Sequence, residues 1–354
     1  MTRIEQNPAP AVGTGDAGGT RDPGETGGTG STGDTGGTDV GRWFATATAP
    51  GAAAARGLPR LPAWGPDPRG GYGIVSAPEV VDEALAVLRR ASPAAMLTGA
   101  GMSTGAGLPD YRGADAVPRS PMTIQEFTGS DLARRRYWAR ATVGWSHFTR
   151  ARPGRAHELL AQLGRAVPLT AVITQNVDAL HQAAGSDPVI DLHGRLDAVR
   201  CLGCGAKISR AVHHERLLTM NPQVARRLPE LAAETEQAPD GDAEVDRTVD
   251  FRYPVCALCG GMLKPDVVFF GESAERARVD AAFEAVADSG ALLVLGSSLT
   301  VMSWLRFVRR ARADCLPVVI VNDGPTRGDE LATVRVHGRI EDVLGTWCAR
   351  LAGA

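Results

Sequence analysis

Four cysteines of the chain fall in two matched pairs, Cys201-x-x-Cys204 and Cys256-x-x-Cys259, each beside glycines. Thiolates at this spacing close a tetrahedral zinc shell, and four sulfurs leave no open position, so such a metal is structural. Cys315 and Cys348 have no such neighbours and read as packed thiols. The remaining chemistry sits where short apolar runs stop. Residues 95–97 open into Gly99, Ala100, Gly101, Ser103, Gly105 and Gly107, followed by Asp110, Tyr111 and Arg112. Glycines at a strand end let bare backbone approach a ligand, and here the N–H groups of Gly99 and Gly101 are expected to face a pyrophosphate. The spacing is G-x-G-x-x-x-G rather than the usual dinucleotide fingerprint, so this loop alone is a weak signal. The run 170–174 ends in Gln175, Asn176 and Asp178, which suit a ligand-binding strand end and equally a helix N-cap. Residues 189–192 deliver His193 beside Gly194, either a structural histidine or a base that titrates near neutral pH.

These residues need a sheet to bring them together. Further apolar runs at 291–295 and 317–321 end in Gly296-Ser297-Ser298 and Asn322-Asp323-Gly324, and residues 334–337 end in His337. Strand after strand finishing in small or polar residues predicts a parallel sheet with one ligand-binding edge. Helical spacing is expected over 77–90, 131–148, 156–165, 274–287 and 340–351. The chain is expected to return to the sheet over 266–272 after the cysteine pairs. Within 131–148, Tyr137 and Arg140 share a face, and Arg134, Arg135 and Arg136 read as a solvated one. Tyr137 packing in the core and Arg140 pairing with a surface acid is the alternative to a substrate role. Between the cysteine pairs, 208–251 should hold a helical insertion and a mobile acidic, Pro-containing stretch at 229–250.

Residues 1–71 are dominated by Gly, Thr, Ala, Pro and Asp and cannot bury enough apolar surface to offset their ordering entropy, so a disordered extension is expected. The 354 residues, 44% of them hydrophobic, suffice for one large or two smaller domains. A net charge of −2 and the lack of a long basic block argue against a nucleic-acid footprint. No apolar run reaches the ~18 residues of a membrane span, and the N-terminus has no secretory pattern. A cytoplasmic location follows as an expectation, and with it thiols or metal ligands in place of disulfides.

The set G-A-G-M-S-T-G-A-G-L-P-D-Y-R, T-Q-N-V-D-A-L-H, L-H-G, the paired C-x-x-C, V-V-F-F-G-E, G-S-S-L and V-N-D-G resembles the sirtuins, NAD-dependent protein-lysine deacylases. The likeness spans about 72–351, in family order; the segment 135–145 looks most like the branch of mitochondrial sirtuin 4 and its bacterial relatives. The resemblance implies an α/β fold, a Rossmann-like parallel sheet domain (72–112, 156–198 and 265–351) with a smaller inserted domain, helical over 113–155 and zinc-binding over 199–264.

It also implies that NAD lies over the strand ends. Its phosphates would be held by Gly99, Ala100, Gly101 and Ser103, with Gly296, Ser297 and Ser298 near phosphate or ribose. Asn322, Asp323, Gly324 and His337 would face the adenosine end, and Asp178 the nicotinamide carboxamide. Gln175 and Asn176 would hold the nicotinamide ribose and a water, and Asp110, Tyr111 and Arg112 would border the reacting centre. His193 would be the general base, assisted by Asn176, with nicotinamide, O-acyl-ADP-ribose and free lysine as products. The strand Val267, Val268, Phe269, Phe270 and Gly271 would pair with an acyl-lysine protein substrate. Tyr137-x-x-Arg140 has the spacing for gripping an acidic acyl chain. The alternatives are an NAD-dependent ADP-ribosyltransferase using the same cleft and a non-catalytic NAD or acyl-lysine sensor, which the presence of His193 disfavours.

Overall fold

The computed structural model describes residues 73–108, 121–234 and 248–353. The expected disordered extension, Asp110, Tyr111, Arg112 and much of the acidic stretch lie outside the described residues.

The chain enters through α1 (Pro78–Arg90), where proline at the first helical position fixes φ without losing a hydrogen bond. Its buried stripe of Val81, Ala84, Leu85, Val87 and Leu88 faces the core. Strand β1 (Ala94–Thr98) follows, buried at every position, and ends in two short 3-10 turns that carry the glycine loop. Further along, α2 (Ile124–Gly129) starts on a capping box between Thr123 and Glu126, and α3 (Asp131–Phe148) is capped by Ser130. Then come α4 (Arg155–Ala166), β2 (Leu169–Thr174), the short α5 (Leu180–Ala183) and β3 (Val189–Asp191).

The next part leaves the main sheet: β4 (Gly194–Cys201), β5 (Lys207–Ser209), α6 (Arg210–Met220), α7 (Pro222–Glu234) and β6 (Leu263–Val267). The return is made by α8 (Arg276–Ala287), β7 (Ala291–Leu295), α9 (Met302–Ala313), β8 (Val318–Asn322), β9 (Val334–His337) and α10 (Ile340–Ala352).

Six strands form one sheet in the order β3-β2-β1-β7-β8-β9, and every pairing is parallel. β1, β7 and most of β8 are buried throughout, as expected when helices cover both faces. Successive strands run outward from β1 on one side and resume beside it with β7 on the other. The switch point therefore lies between the carboxyl ends of β1 and β7, where such sheets bind ligands. α10 closes over α1, with Trp347 fully buried and its Nε1 donating to the Val81 carbonyl at 2.8 Å.

The expected return to the sheet over 266–272 is not what forms. β6 begins at Leu263, pairs antiparallel with β4 in a separate three-stranded sheet of order β5-β4-β6, and stops at Val267. Phe269 to Glu272 is a tight turn instead: the Glu272 N–H donates to the Phe269 carbonyl at 3.0 Å and Gly271 takes φ +76°. The stretch expected as loop from Pro229 begins inside α7, which runs through that proline to Glu234. Of the arginines of α3 expected on a solvated face, Arg136 is exposed, but Arg134 and Arg135 are engaged. Arg134 donates to the Tyr253 hydroxyl at 2.8 Å and to the Phe127 and Thr128 carbonyls at 3.0 and 3.1 Å, capping the end of α2. Arg135 pairs with Asp131 at 2.6 Å and reaches the Val249 carbonyl.

Candidate active site

The glycine loop after β1 packs directly on the loop after β7. The Gly99 N–H donates to the Leu295 carbonyl and the Gly101 N–H to the Gly296 carbonyl, both at 3.0 Å. These two N–H groups are therefore spent on the fold, which corrects the expectation that they face a pyrophosphate. The glycines are required for contact: a Cβ on Gly99 would stand 2.5 Å from Gln175 Nε2, 2.6 Å from the Gly296 carbonyl oxygen and 2.8 Å from Ser297 Cβ. Ala100, between them, donates to no backbone carbonyl of the described residues.

The loops after β1, β2 and β7 are joined by side chains. Asn176 Nδ2 donates to the Gly99 carbonyl and to Ser103 Oγ, both at 3.0 Å, and Ser103 Oγ donates to Asp178 Oδ2 at 2.6 Å. Gln175 Nε2 reaches Ser297 Oγ at 3.4 Å. Asp178 Oδ1 also accepts the Leu180 N–H at 2.9 Å, but the N-cap of α5 is Ala179 with no side-chain cap, so the clustering reading is the one that forms and neither Asn176 nor Asp178 is the N-cap. Beneath this layer Thr98 Oγ1 bonds His181 Nε2 at 2.9 Å, and burial beside His157 pushes His181 down to about 3.

His193 lies at the junction of the two sheets. Burial pushes its imidazole down to about 4, opposed by the neighbouring Gln175 backbone and aided by the Arg306 charge. Trp304 from α9 packs edge-on against it, with ring centroids 6.0 Å apart, and the His193 carbonyl accepts the Val268 N–H at 2.8 Å. The neutral ring is thus available to accept a proton at neutral pH. Gly194 is held at φ +80°, and a Cβ there would lie 1.9 Å from the Asp266 carbonyl oxygen, so the turn after His193 demands glycine.

At the far end of the sheet, Asn322 Nδ2 donates to the Gly324 carbonyl at 2.7 Å, and Asp323 Oδ1 accepts the Gly73 N–H at 3.2 Å. The His337 N–H donates to Ser76 Oγ and its carbonyl accepts the Ser76 N–H, both at 2.8 Å, while its Nδ1 is buried without a partner among the described residues. Arg335, which no motif singled out, gathers this edge by donating to the Asn322 carbonyl at 3.1 Å and the Gly324 carbonyl at 2.6 Å. Ser298 Oγ bonds Thr300 Oγ1 at 2.9 Å. An unpartnered ring nitrogen here and a hydroxyl, amide and carboxylate set at the switch point fit an elongated polar ligand such as NAD.

The cysteine sulfurs Cys201, Cys204, Cys256 and Cys259 all lie within 4.8 Å of one another, with Cys201 to Cys259 at 3.5 Å and Cys204 to Cys256 at 3.8 Å. A tetrahedron of Zn–S bonds near 2.3 Å separates sulfurs by ~3.8 Å, so the donor set fits zinc. The Cys204 and Gly203 backbone N–H groups aim at Cys201 Sγ and hold its thiol down at about 6, favouring the thiolate a metal needs.

Tyr137 is 6% exposed, its ring 5.4 Å from Phe127 and 5.1 Å from Phe269, so it belongs to the core of the smaller module. Arg140 is half-buried on the same helix. Of the expected substrate segment, Val267 closes β6, Val268 is half-buried, Phe269 is buried, Phe270 is half exposed at 51%, and Gly271 completes the turn. Sequence reasoning missed Trp304, Arg335 and Lys264, because nothing in their local spacing marks the groups they meet.

A profile described as the Sir2 family matches residues 99–303. NAD-dependent protein deacetylase 1 of Mycobacterium avium (strain 104) is 53% identical over 250 residues, covering 71% of this chain and 88% of that protein. NAD-dependent protein deacetylase 1 of Streptomyces coelicolor is 50% identical over 271 residues, 74% of this chain and 87% of its own. Among solved structures, one described as "Sir2-p53 peptide-NAD+" superposes with a TM-score of 0.60 at 28% identity, covering 77% of this chain and 99% of that one. Another, "Sir2 bound to acetylated peptide", does so with a TM-score of 0.60 at 26% identity, again over 77% and 99%.

Proposed function

The chain belongs to the Sir2 family, and on that footing we propose how its strand-end cleft works. The activity is NAD-dependent deacylation of protein lysine, with NAD as cosubstrate and zinc as a structural metal. The observation that carries the site assignment is the network of Ser103, Gln175, Asn176, Asp178 and Ser297 across the switch point, with the His193 imidazole next to the Gln175 backbone.

In this reading Ser103, Asn176 and Asp178 take the nicotinamide half of NAD. The Gly99 to Gly101 and Gly296 to Ser298 loops shape the phosphate channel, and Asn322, Asp323, Gly324 and His337 take the adenosine end. Asp110, Tyr111 and Arg112 complete the nicotinamide side. Bound NAD supplies a nicotinamide leaving group and an electrophilic ribose carbon. His193, neutral and shielded by Trp304, accepts a proton at its ring nitrogen, while Asn176 fixes the position of the reacting hydroxyls. Residues 267–271 receive the acyl-lysine backbone. The Tyr137–Arg140 step sets the acyl preference, supported by contact of the Tyr137 ring with Phe269. The segments 72–112, 156–198 and 265–351, apart from the β4 and β6 residues that join the smaller sheet, are assigned to NAD, 199–264 to zinc, and the enzyme to the cytoplasm. Consistent with that location, no helix among the described residues is long and apolar enough to cross a membrane.

Mass spectrometry of the parent and His193→Ala, incubated with NAD and acetyl, succinyl, glutaryl and lipoyl lysine peptides, tests the proposal. The parent should yield O-acyl-ADP-ribose, and loss of the base should cut turnover by ~10²- to 10⁴-fold. ADP-ribose appearing on protein, with no lysine freed, would bring the transferase alternative forward.

A further inference from the structure

Lys264 in β6 is 3% exposed, and a buried ammonium needs partners to persist. Among the described residues, its partners lie in the segment that follows it. Nζ donates to the carbonyls of Pro265, at 3.2 Å, and Val267; it meets Glu272 Oε2 at 3.0 Å and stands 4.7 Å over the Phe269 ring. The same Glu272 oxygen accepts the Phe269 N–H at 2.9 Å. Glu272 thus bridges the buried cation and the first amide of the Phe269 to Glu272 turn. That turn is fastened on two more sides, by the Val268 N–H on the His193 carbonyl at 2.8 Å and by the Ile124 N–H on the Phe270 carbonyl at 3.0 Å.

A buried ion pair returns little net stability, because desolvating both charges offsets their attraction, and an apolar pair of similar volume holds a core as well or better. What an apolar pair cannot do is grip two carbonyls and an amide in one geometry. We propose that Lys264 and Glu272 are a positioning pair for the protein substrate: they fix the Phe269 to Glu272 turn, with half-exposed Phe270 at its tip, in register with His193. The proposal rests on the deacylase reading and places these residues behind the segment that receives the peptide, not in contact with the reacting atoms.

The test compares the parent with Lys264→Met, Lys264→Met/Glu272→Gln and Lys264→Arg. It measures KM for an acetyl-lysine peptide and for NAD, and peptide Kd by fluorescence anisotropy, which needs no turnover. The single variant leaves Glu272 without its cation and can misfold; the double variant removes that charge as well. In the folded, zinc-loaded double variant, peptide KM and Kd should rise about tenfold while NAD KM stays within about twofold, and Lys264→Arg should restore most of the loss. A double variant with unchanged peptide constants, or one in which peptide and NAD constants rise together, overturns the proposal. A parent that binds peptide yet forms no O-acyl-ADP-ribose would instead strike the deacylase reading, with the anisotropy comparison still deciding the pair.

Discussion

His193 carries its chemistry because of what surrounds it. With Trp304 against its edge and burial holding it down at about 4, the ring is unprotonated well below the ordinary histidine range. A base with a lowered pKa stays competent as pH falls, so kcat/KM for the peptide should stay level from pH 8 to roughly 5.5 and fall only below that. A pH profile whose acid limb centred near 6.5 would mean that this environment does not govern the base. The proposed role of His193 as base came with the family resemblance, and its place at a strand end was readable. Its depressed affinity for a proton was not, because Trp304 arrives from a distant helix. Gly99 and Gly101 teach the same lesson in reverse. Their spacing suggested bare amides awaiting phosphate, yet the amides are taken by Leu295 and Gly296, from a loop whose approach no local pattern announces.

At the scale of elements, the main sheet was legible because its strands are continuous apolar runs ending in polar residues. The smaller sheet was less so. β4 buries only alternate stretches and carries three charged residues, and β6 contains Lys-Pro-Asp, which reads as a break. Proline is tolerated there because β6 is an edge strand, paired on one side with β4, so its missing N–H costs no ladder bond. The cysteine pairs announced themselves by spacing, and the fold joins them into one cluster. Thiol titration of the native protein should find Cys315, which is exposed, reacting at once and Cys348, which is buried, only after unfolding. Chelation should release one zinc per chain together with four further reactive thiols and loss of folded signal in circular dichroism. Four freely reactive cluster thiols before chelation would exclude a closed metal shell.

Across the whole molecule, several histidines are buried in the neutral form. Burial leads the lowering in each case: His181 and His213 are pushed down to about 3, His193 and His214 to about 4. In the unfolded chain each regains its ordinary value near 6.5, so between that pH and the native values the unfolded state binds more protons. Stability should therefore be full above about pH 6.5 and decline as pH falls toward 4, each histidine adding a slope approaching ~1.4 kcal/mol per pH unit. Urea unfolding followed from pH 7.5 to 5 measures it; a midpoint that does not move would show these rings protonating freely in the native state. The backbone itself ties together modules that the sequence presented as separate. β4 makes the connection plainest, since its first residue follows His193 and its last is Cys201. Despite the register shift between Gly194 and Val199, its eight residues put the proposed proton acceptor and the metal cage at opposite ends of one tether. An oxidant that opened the cage would slacken that tether, and catalysis would fail like a blown fuse, at a distance and without any reagent entering the cleft.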